Sequence, residues 1–420
     1  MDVSILDRIQ QSFAHVPDFD PRAKLSPKAF LVTLVFALIS DTKSRSLDCI
    51  RRFLIAQSGV AICRSTFWQR MASKRLLHLL LETVSQLMKN LASINGIDLA
   101  LSAKIGVAAI FYIDSSSVSL PAAAKKLFPA PRRNVVPAAF KWHLCMNLLT
   151  STMKWWKMTP ATSHDRKSFP PLTLLKGTLI IFDLGYWDYT LLSNMIADGC
   201  FFLSRVKGNA VIDILEVIKG LKKRKFEGTL LFDHKKIRKG KKIVELIGSF
   251  GSQAKRDSFQ ARVIGFWNRQ TKSYYWYVTN LAVPAELIYP IYRLRWQVEL
   301  IFKSGKSSLS LADAPSANQN IIKSMLLVTI IATLISQPLA KAMLATATSD
   351  KQMAASVQRA AMVLVHVCVE FMEMIMKGCR LCREKLICKL KTLEREIFDP
   401  NYKRRETSLK RVARLAEEYA

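Results

Sequence analysis

Hydrophobic and polar positions along this chain follow two periods, one helical and one extended. Residues 30–39 are almost wholly apolar and follow Ser26 and Pro27, a cap and a first-turn proline, which predicts a helix. A second helix is predicted over 45–56, with Gly59 as its breaker. Thr66 and Gln69 have capping-box spacing and predict a third. That helix would carry Gln69, Arg70, Ser73, Lys74 and Arg75 in its first turns. Helix, turn, then a polar and basic helix is the outline of a major-groove reader, and equally of an ordinary helical bundle.

Beyond residue 104 the pattern changes. Residues 107–113 form a continuous apolar run ending in Asp114, followed by Ser115, Ser116 and Ser117. Residues 177–182 form a second run ending in Asp183, followed by Leu184, Gly185 and Tyr186. Each reads as a buried strand with an acid at its C-terminal end, where open α/β sheets place their chemistry. Between them, 140–149 and 153–158 read as a hairpin. A helix over 189–197 and a strand over 200–206 follow. The interval between Asp183 and the next helical stretch is too long for a plain connection. Residues 230–232, 243–250, 259–266 and 273–279 are rich in β-branched and aromatic side chains, predicting a β-rich insertion over 211–285. From 320 onward the chain reads as helical. Residues 325–335 come nearest to a membrane span but fall short of the ~18 apolar residues that one needs, so they predict a buried helix.

The stretch 291–306 carries the densest chemistry. Pro290 precedes it, as at a helix start. On a helix, Tyr292, Arg295, Glu299 and Lys306 share one stripe, with Lys303 at its edge, while Leu294, Val298, Ile301 and Phe302 form a seating face. Alone, such a stripe is a solvated face with Arg295–Glu299 and Glu299–Lys303 pairs. Joined to two strand-end aspartates, the glutamate completes a set of carboxylates suited to two divalent metals and in-line phosphoryl transfer.

Charge narrows the partner. Lysine and arginine number 63 against 32 acids, a net +31, which calls for a polyanion, most simply nucleic acid. Residues 222–225, 235–242 and 403–405 concentrate that charge. No basic-then-apolar leader opens residues 1–4, and eight scattered cysteines make no disulfide framework, so a reducing cytosol is expected. Cys379, Cys382 and Cys388 lack a second cysteine pair, which disfavours zinc. Ser163, His164 and Asp165 are adjacent and cannot form a triad with one another. His143, between Trp142 and Leu144, is read as structural.

Tyr292, Arg295, Glu299 and Lys306, separated by two, three and six residues, resemble the YREK signature of bacterial insertion-sequence transposases of the DDE type. Asp114 with its serines, Asp183 with Leu184, Gly185 and Tyr186, and residues 201–205 are similar to that family's accompanying motifs. The match runs from about Asp114 to Lys306, and Leu184 departs from the polar residue often found there. The resemblance implies an α/β multidomain protein. Its ribonuclease-H-like mixed sheet would span 105–210 and 286–345, interrupted by the β-rich insertion. A helical DNA-binding region over 1–104 and a helical region over 346–420 would flank it. Asp114, Asp183 and Glu299 would be catalytic and hold two Mg²⁺ ions, or Mn²⁺. Tyr292, Arg295, Lys306, Lys303 and Arg205 would contact DNA. Trp276 or Trp267 would stack on a flipped base, although for each singly a place in the core is the preferred reading. The implied activity is cut-and-paste transposition through hairpin ends, on double-stranded DNA bearing terminal repeats, by a homodimer in the cytoplasm at the nucleoid, with no membrane. A metal-dependent nuclease that never joins, and an inactive DNA-binding relative, are the alternatives.

Overall fold

The computed structural model describes residues 4–40, 46–91, 99–131, 135–233, 242–251, 258–307, 316–346, 356–398 and 408–418. Arg132, Arg133, most of the 235–242 basic run and residues 403–405 lie outside them. Nine strands form one mixed sheet: β1 (Ile110–Leu120), β2 (Ala138–Asn147), β3 (Met153–Pro160), β4 (Leu179–Phe182), β5 (Phe201–Arg205), β6 (Ile212–Lys219), β7 (Ile243–Phe250), β8 (Phe259–Asn268) and β9 (Ser273–Thr279). Their order is β3-β2-β1-β4-β5-β9-β8-β7-β6. β1–β4 and β4–β5 are parallel, and the other neighbouring pairs are antiparallel. The β-rich stretch therefore continues the central sheet, joined through β5 and β9.

Period-two alternation sends the strands' side chains to two cores. Ile110, Tyr112, Leu179 and Ile181 face one layer, with Trp142, Leu144 and most of the helices. Phe111, Ile113, Ile180 and Phe182 face the other, with Tyr186, Leu192, Met195 and the inner side of the β6–β9 strands. The longest helix, Gln319–Thr346, lies in the first layer. It is longer than the apolar run alone predicts. Its Gln319–Ala340 portion is long and apolar enough to cross a membrane, yet 94% of its most apolar window is buried inside the protein.

Four expectations change. β1 does not end at Asp114 but runs on to Leu120, because Ser115–Ser117 stay paired with β2. Residues 230–232 contribute a bridge from Leu230 and a 3₁₀ turn rather than a strand, and β6, which the hydrophobic pattern leaves unassigned, takes the sheet edge. Two register irregularities in β6 break the alternation that would reveal it. The third N-terminal helix is two helices, Arg64–Met71 and Lys74–Leu91, and the first is capped at Cys63 rather than Thr66. Arg70 there lies over the Phe30 ring and donates to the Leu25 carbonyl, while Arg75 pairs with Asp20 at 2.7 Å. The stretch 291–306 is likewise split, into Ala285–Arg293 and Trp296–Ser307. Pro290 lies inside the first helix rather than at its start. It cannot donate to the preceding turn, and the helix ends three residues later.

The helix Trp296–Ser307 packs along β1 and against Trp142 of β2. Phe302 meets the fully buried Trp142 ring edge-on at 5.3 Å, and Gly305 lies against the same indole. A Cβ at Gly305 would stand 2.8 Å from that ring. Gly305→Ala is therefore expected to lose about 1–3 kcal/mol to overpacking, outweighing the ~1 kcal/mol helix-propensity gain. A lower thermal midpoint is the expected readout, and an unchanged or raised midpoint would contradict this seating.

Candidate active site

Ile113 of β1 sits opposite Phe182 of β4, the last residue of that strand, and the next residue on each chain is an aspartate. Asp114 and Asp183 therefore emerge side by side where the parallel pairing stops. Beyond this point, among the described residues, β1 keeps only its β2 partner, leaving a notch on the β4 side. By alternation both acids face the layer of Tyr112 and Ile181, which also contains the helix Trp296–Ser307.

Arg295 lies in the turn between the two helices, its backbone N–H donating to Tyr292 and its carbonyl accepting from Val298. Its Nη1 donates to Asp114 Oδ2 and its Nη2 to Glu299 Oε1 at 2.7 Å. The Tyr292 hydroxyl donates to Asp183 Oδ1 at 3.2 Å. Arg295 thus links Asp114 to Glu299, and Tyr292 holds Asp183 beside them. Arg295 stands between Asp114 and Glu299, and among the described residues no three acidic, histidine or cysteine side chains lie close enough to hold a metal ion.

Burial governs the electrostatics. It pushes the Asp114 carboxyl up to about 6, overriding the attraction of Arg295, with Asp183 and Glu299 adding to the rise. Burial opposes charge on Arg295, but Asp114, Tyr292 and Asp183 outweigh it and raise its pKa further. Burial, then the Asp183 charge, raises the Tyr292 phenol, so it remains a donor. Lys306 is half-buried, and desolvation lowers its ammonium pKa. Lys303 is exposed.

Beside the acids opens a cavity of about 560 Å³ lined by Arg205, Tyr275, Tyr277, Tyr289, Tyr292, Arg293, Arg295, Trp296 and Gln297. Arg205 lies over the Tyr275 ring, and the Tyr277 and Tyr292 rings are 4.9 Å apart. Trp296 is 60% exposed. Trp276 is not among the lining residues. It sits opposite Gly265 across the β8–β9 pair, with its indole over that glycine and Tyr274 beside it. Trp267 packs against Tyr274 in the same group. Neither tryptophan joins the acids.

The opposite face holds residues that hydrophobic patterning passes over. Asp165 Oδ1 accepts from Lys141 Nζ at 2.9 Å and from Ser115 Oγ at 3.0 Å. His143 bridges the Tyr186 hydroxyl and Thr159. Burial pushes the His143 imidazole down to about 4, leaving it neutral at pH 7. The one signal pointing to Asp165 is an acid inside a basic stretch, next to Arg166 and Lys167.

Three carboxylates carried by a parallel strand pair and a covering helix, flanked by arginine and tyrosine, define an acid-centred site on a mixed α/β sheet. A family profile for the transposase DDE domain matches residues 106–335, which hold every part of this site. The chain belongs to that family. It is 24% identical over 238 residues to a transposase for insertion sequence element IS1151 of Clostridium perfringens, covering 46% of this chain and 49% of that protein. It is 23% identical over 248 residues to a transposase for insertion sequence element IS231E of Bacillus thuringiensis subsp. finitimus, covering 48% and 50%. The chain thus spans about half the length of the curated relatives it matches.

Asp114 generates a pH prediction. Its folded pKa lies above the ordinary 3.8, so the folded state takes up a proton between 3.8 and about 6. That contribution to stability is full below 3.8 and is lost as pH rises through about 6. Asp114→Asn cannot titrate, so its stability relative to wild type should improve as pH rises from about 4 to about 7. Urea unfolding of both proteins across that range is the measurement, and a constant offset would contradict the assignment.

Proposed function

We propose that this chain is a DNA transposase that excises and joins an insertion sequence by metal-dependent chemistry at Asp114, Asp183 and Glu299. The observation that carries the reading is the joining of these acids by Arg295 and Tyr292, two members of the YREK spacing. Under this reading the strands from β1 to β5 with the helix Trp296–Ser307 form a ribonuclease-H-like core. The β6–β9 stretch is its insertion, and the helical region 1–104 reads the terminal repeats.

Metal suits the site by the chemistry of its donors. Asp114, Asp183 and Glu299 supply only hard oxygen, which favours Mg²⁺ or Mn²⁺. The cluster already holds a cation, the Arg295 guanidinium, between Asp114 and Glu299. The three acids do not stand close enough to hold an ion while Arg295 lies between them; once it leaves they would hold two ions, which would supply an activated water or 3′ hydroxyl and charge stabilisation at the leaving oxygen. Asp114 must be ionised to serve, which its pKa of about 6 permits at neutral pH. Arg295, on leaving the acids, would fork onto a phosphate, and Lys306 and Lys303 would add point charges along the backbone. Tyr292 would donate to a phosphate oxygen or keep Asp183 oriented. Arg205 and the tyrosines of the adjoining cavity offer a cationic and aromatic seat for an unstacked nucleotide. The net +31 fits tight, salt-sensitive binding to the DNA of its own element and its target. A homodimer acting through hairpin ends, in the bacterial cytoplasm at the nucleoid, completes the proposal.

The test is a cleavage and strand-transfer assay on DNA carrying the ends that flank this gene, with Mg²⁺. Wild type should nick, form hairpins and join, whereas Asp183→Ala and Glu299→Ala should fall to background while still binding DNA. A Glu299→Ala protein that cuts would sink the assignment, and cutting without joining would make the protein a nuclease. Arg295→Ala should weaken retention of the cut end by about ten-fold, the scale of one charge-assisted contact. Retention equal to wild type in a gel-shift of pre-nicked ends would remove Arg295 from the phosphate-binding role.

A further inference from the structure

We propose that Asp165 is a positioning residue that fixes the spacing of the first two acids from behind the sheet. This rests on the metal-site reading above. Asp165 opens a 3₁₀ turn, Asp165–Lys167, which packs on the turn Leu184–Tyr186 directly after Asp183. Its carboxylate is only 20% exposed and engages three elements at once. Oδ1 accepts from Ser115 Oγ at 3.0 Å, and Ser115 is the neighbour of Asp114. The same Ser115 donates its backbone N–H to Asp114 Oδ1 at 2.8 Å. Oδ1 also accepts from Lys141 Nζ on β2 at 2.9 Å, and Lys141 donates to the Ser163 carbonyl at 2.8 Å, so Lys141 anchors the start of the turn. Oδ2 faces Gly185, so close that a Cβ there would lie 2.8 Å away.

The path therefore runs from Asp114 through Ser115 and Asp165 to Gly185, two residues from Asp183. Side chains alternate along β1, so Ser115 faces away from the layer that Asp114 faces, and Asp165 lies behind the acids rather than among them. At Asp114 and Asp183 the sheet has just lost its β1–β4 pairing. Backbone hydrogen bonds no longer hold the two chains together there. The Asp165 clamp takes over where the ladder stops. Partners of this kind orient the groups that bind a metal without touching it.

The test uses the full chain bound to DNA carrying its element's ends, with Mn²⁺ as the probe. Bound Mn²⁺ is read by electron paramagnetic resonance, alongside cleavage rate, DNA affinity and melting temperature. Asp165→Asn keeps the shape but loses the ion pair, and should raise the half-saturating Mn²⁺ concentration about ten-fold or more. DNA affinity should stay near wild type, while the melting temperature should fall only modestly, because Lys141 loses its counter-charge but keeps the Ser163 carbonyl. Gly185→Ala should produce the same defect by crowding Oδ2, and should add little in an Asp165→Ala background, where that oxygen is gone. Ser115→Ala removes one contact of the clamp without touching the carboxylate and should give a smaller shift in the same direction. Half-saturating Mn²⁺ within about two-fold of wild type in Asp165→Asn would overturn the proposal. So would a loss of DNA affinity in step with cleavage, because Asp165 would then be merely structural. Mn²⁺ binding that persists unchanged in Asp183→Asn would overturn the metal site itself, and the clamp with it. That result is distinct from a silent Asp165.

Discussion

A guanidinium taken largely out of water must meet negative charge, or the fold would not tolerate it. Arg295 is 14% exposed on its side chain and meets that demand with Asp114 and Glu299. Those carboxylates, crowded with Asp183, need the cation equally, since three like charges in a half-buried notch repel one another. The rest of the site follows from this mutual requirement. The chain must turn between the helices Ala285–Arg293 and Trp296–Ser307 so that Arg295 reaches across to β1. The second helix must seat close against β2, which Gly305 allows by leaving room for Trp142. Removing the arginine would leave charge without counter-charge, and removing an acid would strand the arginine.

The two faces of the sheet divide the labour around Asp114 and Asp183. On one side lie Arg295, Tyr292, Glu299 and the aromatic cavity. On the other lie Ser115, Lys141, Asp165, His143 and Tyr186, bound to one another and partly sealed. The neutral state of His143 belongs to this division. A charged imidazole there would be buried away from water, a cost that Asp165 does not offset, whereas the neutral ring can both donate and accept between Tyr186 and Thr159.

Much of this arrangement was legible in the sequence because burial leaves long apolar runs. The runs before Asp114 and Asp183 mark β1 and β4, since strands covered on both faces lose their alternation. The period of the Tyr292 stripe brought Arg295 and Glu299 together despite the break at Leu294 and Arg295, because a tight turn keeps nearly the helical spacing. What stayed hidden depended on three-dimensional partners. Nothing local to Asp165 reveals that Ser115 and Gly185 converge on it. Alternation separates Tyr275 and Tyr277 from Tyr274 and Trp276, but only the sheet tells which pair faces the cavity. The share of Arg295 held by the acids, rather than left for phosphate, was equally invisible, because it rests on a contact between distant parts of the chain.

The Gln319–Ala340 segment has a consequence for how the chain is made. It is apolar enough for a lipid bilayer, yet here it is covered by protein. During synthesis two of the helices it packs on, Pro27–Ile39 and Lys74–Leu91, leave the ribosome before it does, whereas a third, Val357–His366, follows it. Much of the surface that will cover it therefore already exists when it emerges. The order of elements along the chain gives partial protection, because the most insertable segment appears after two of its main helical partners. A version of the protein with this helix moved ahead of Pro27–Ile39 and Lys74–Leu91 would expose it to membranes and to other nascent chains for far longer.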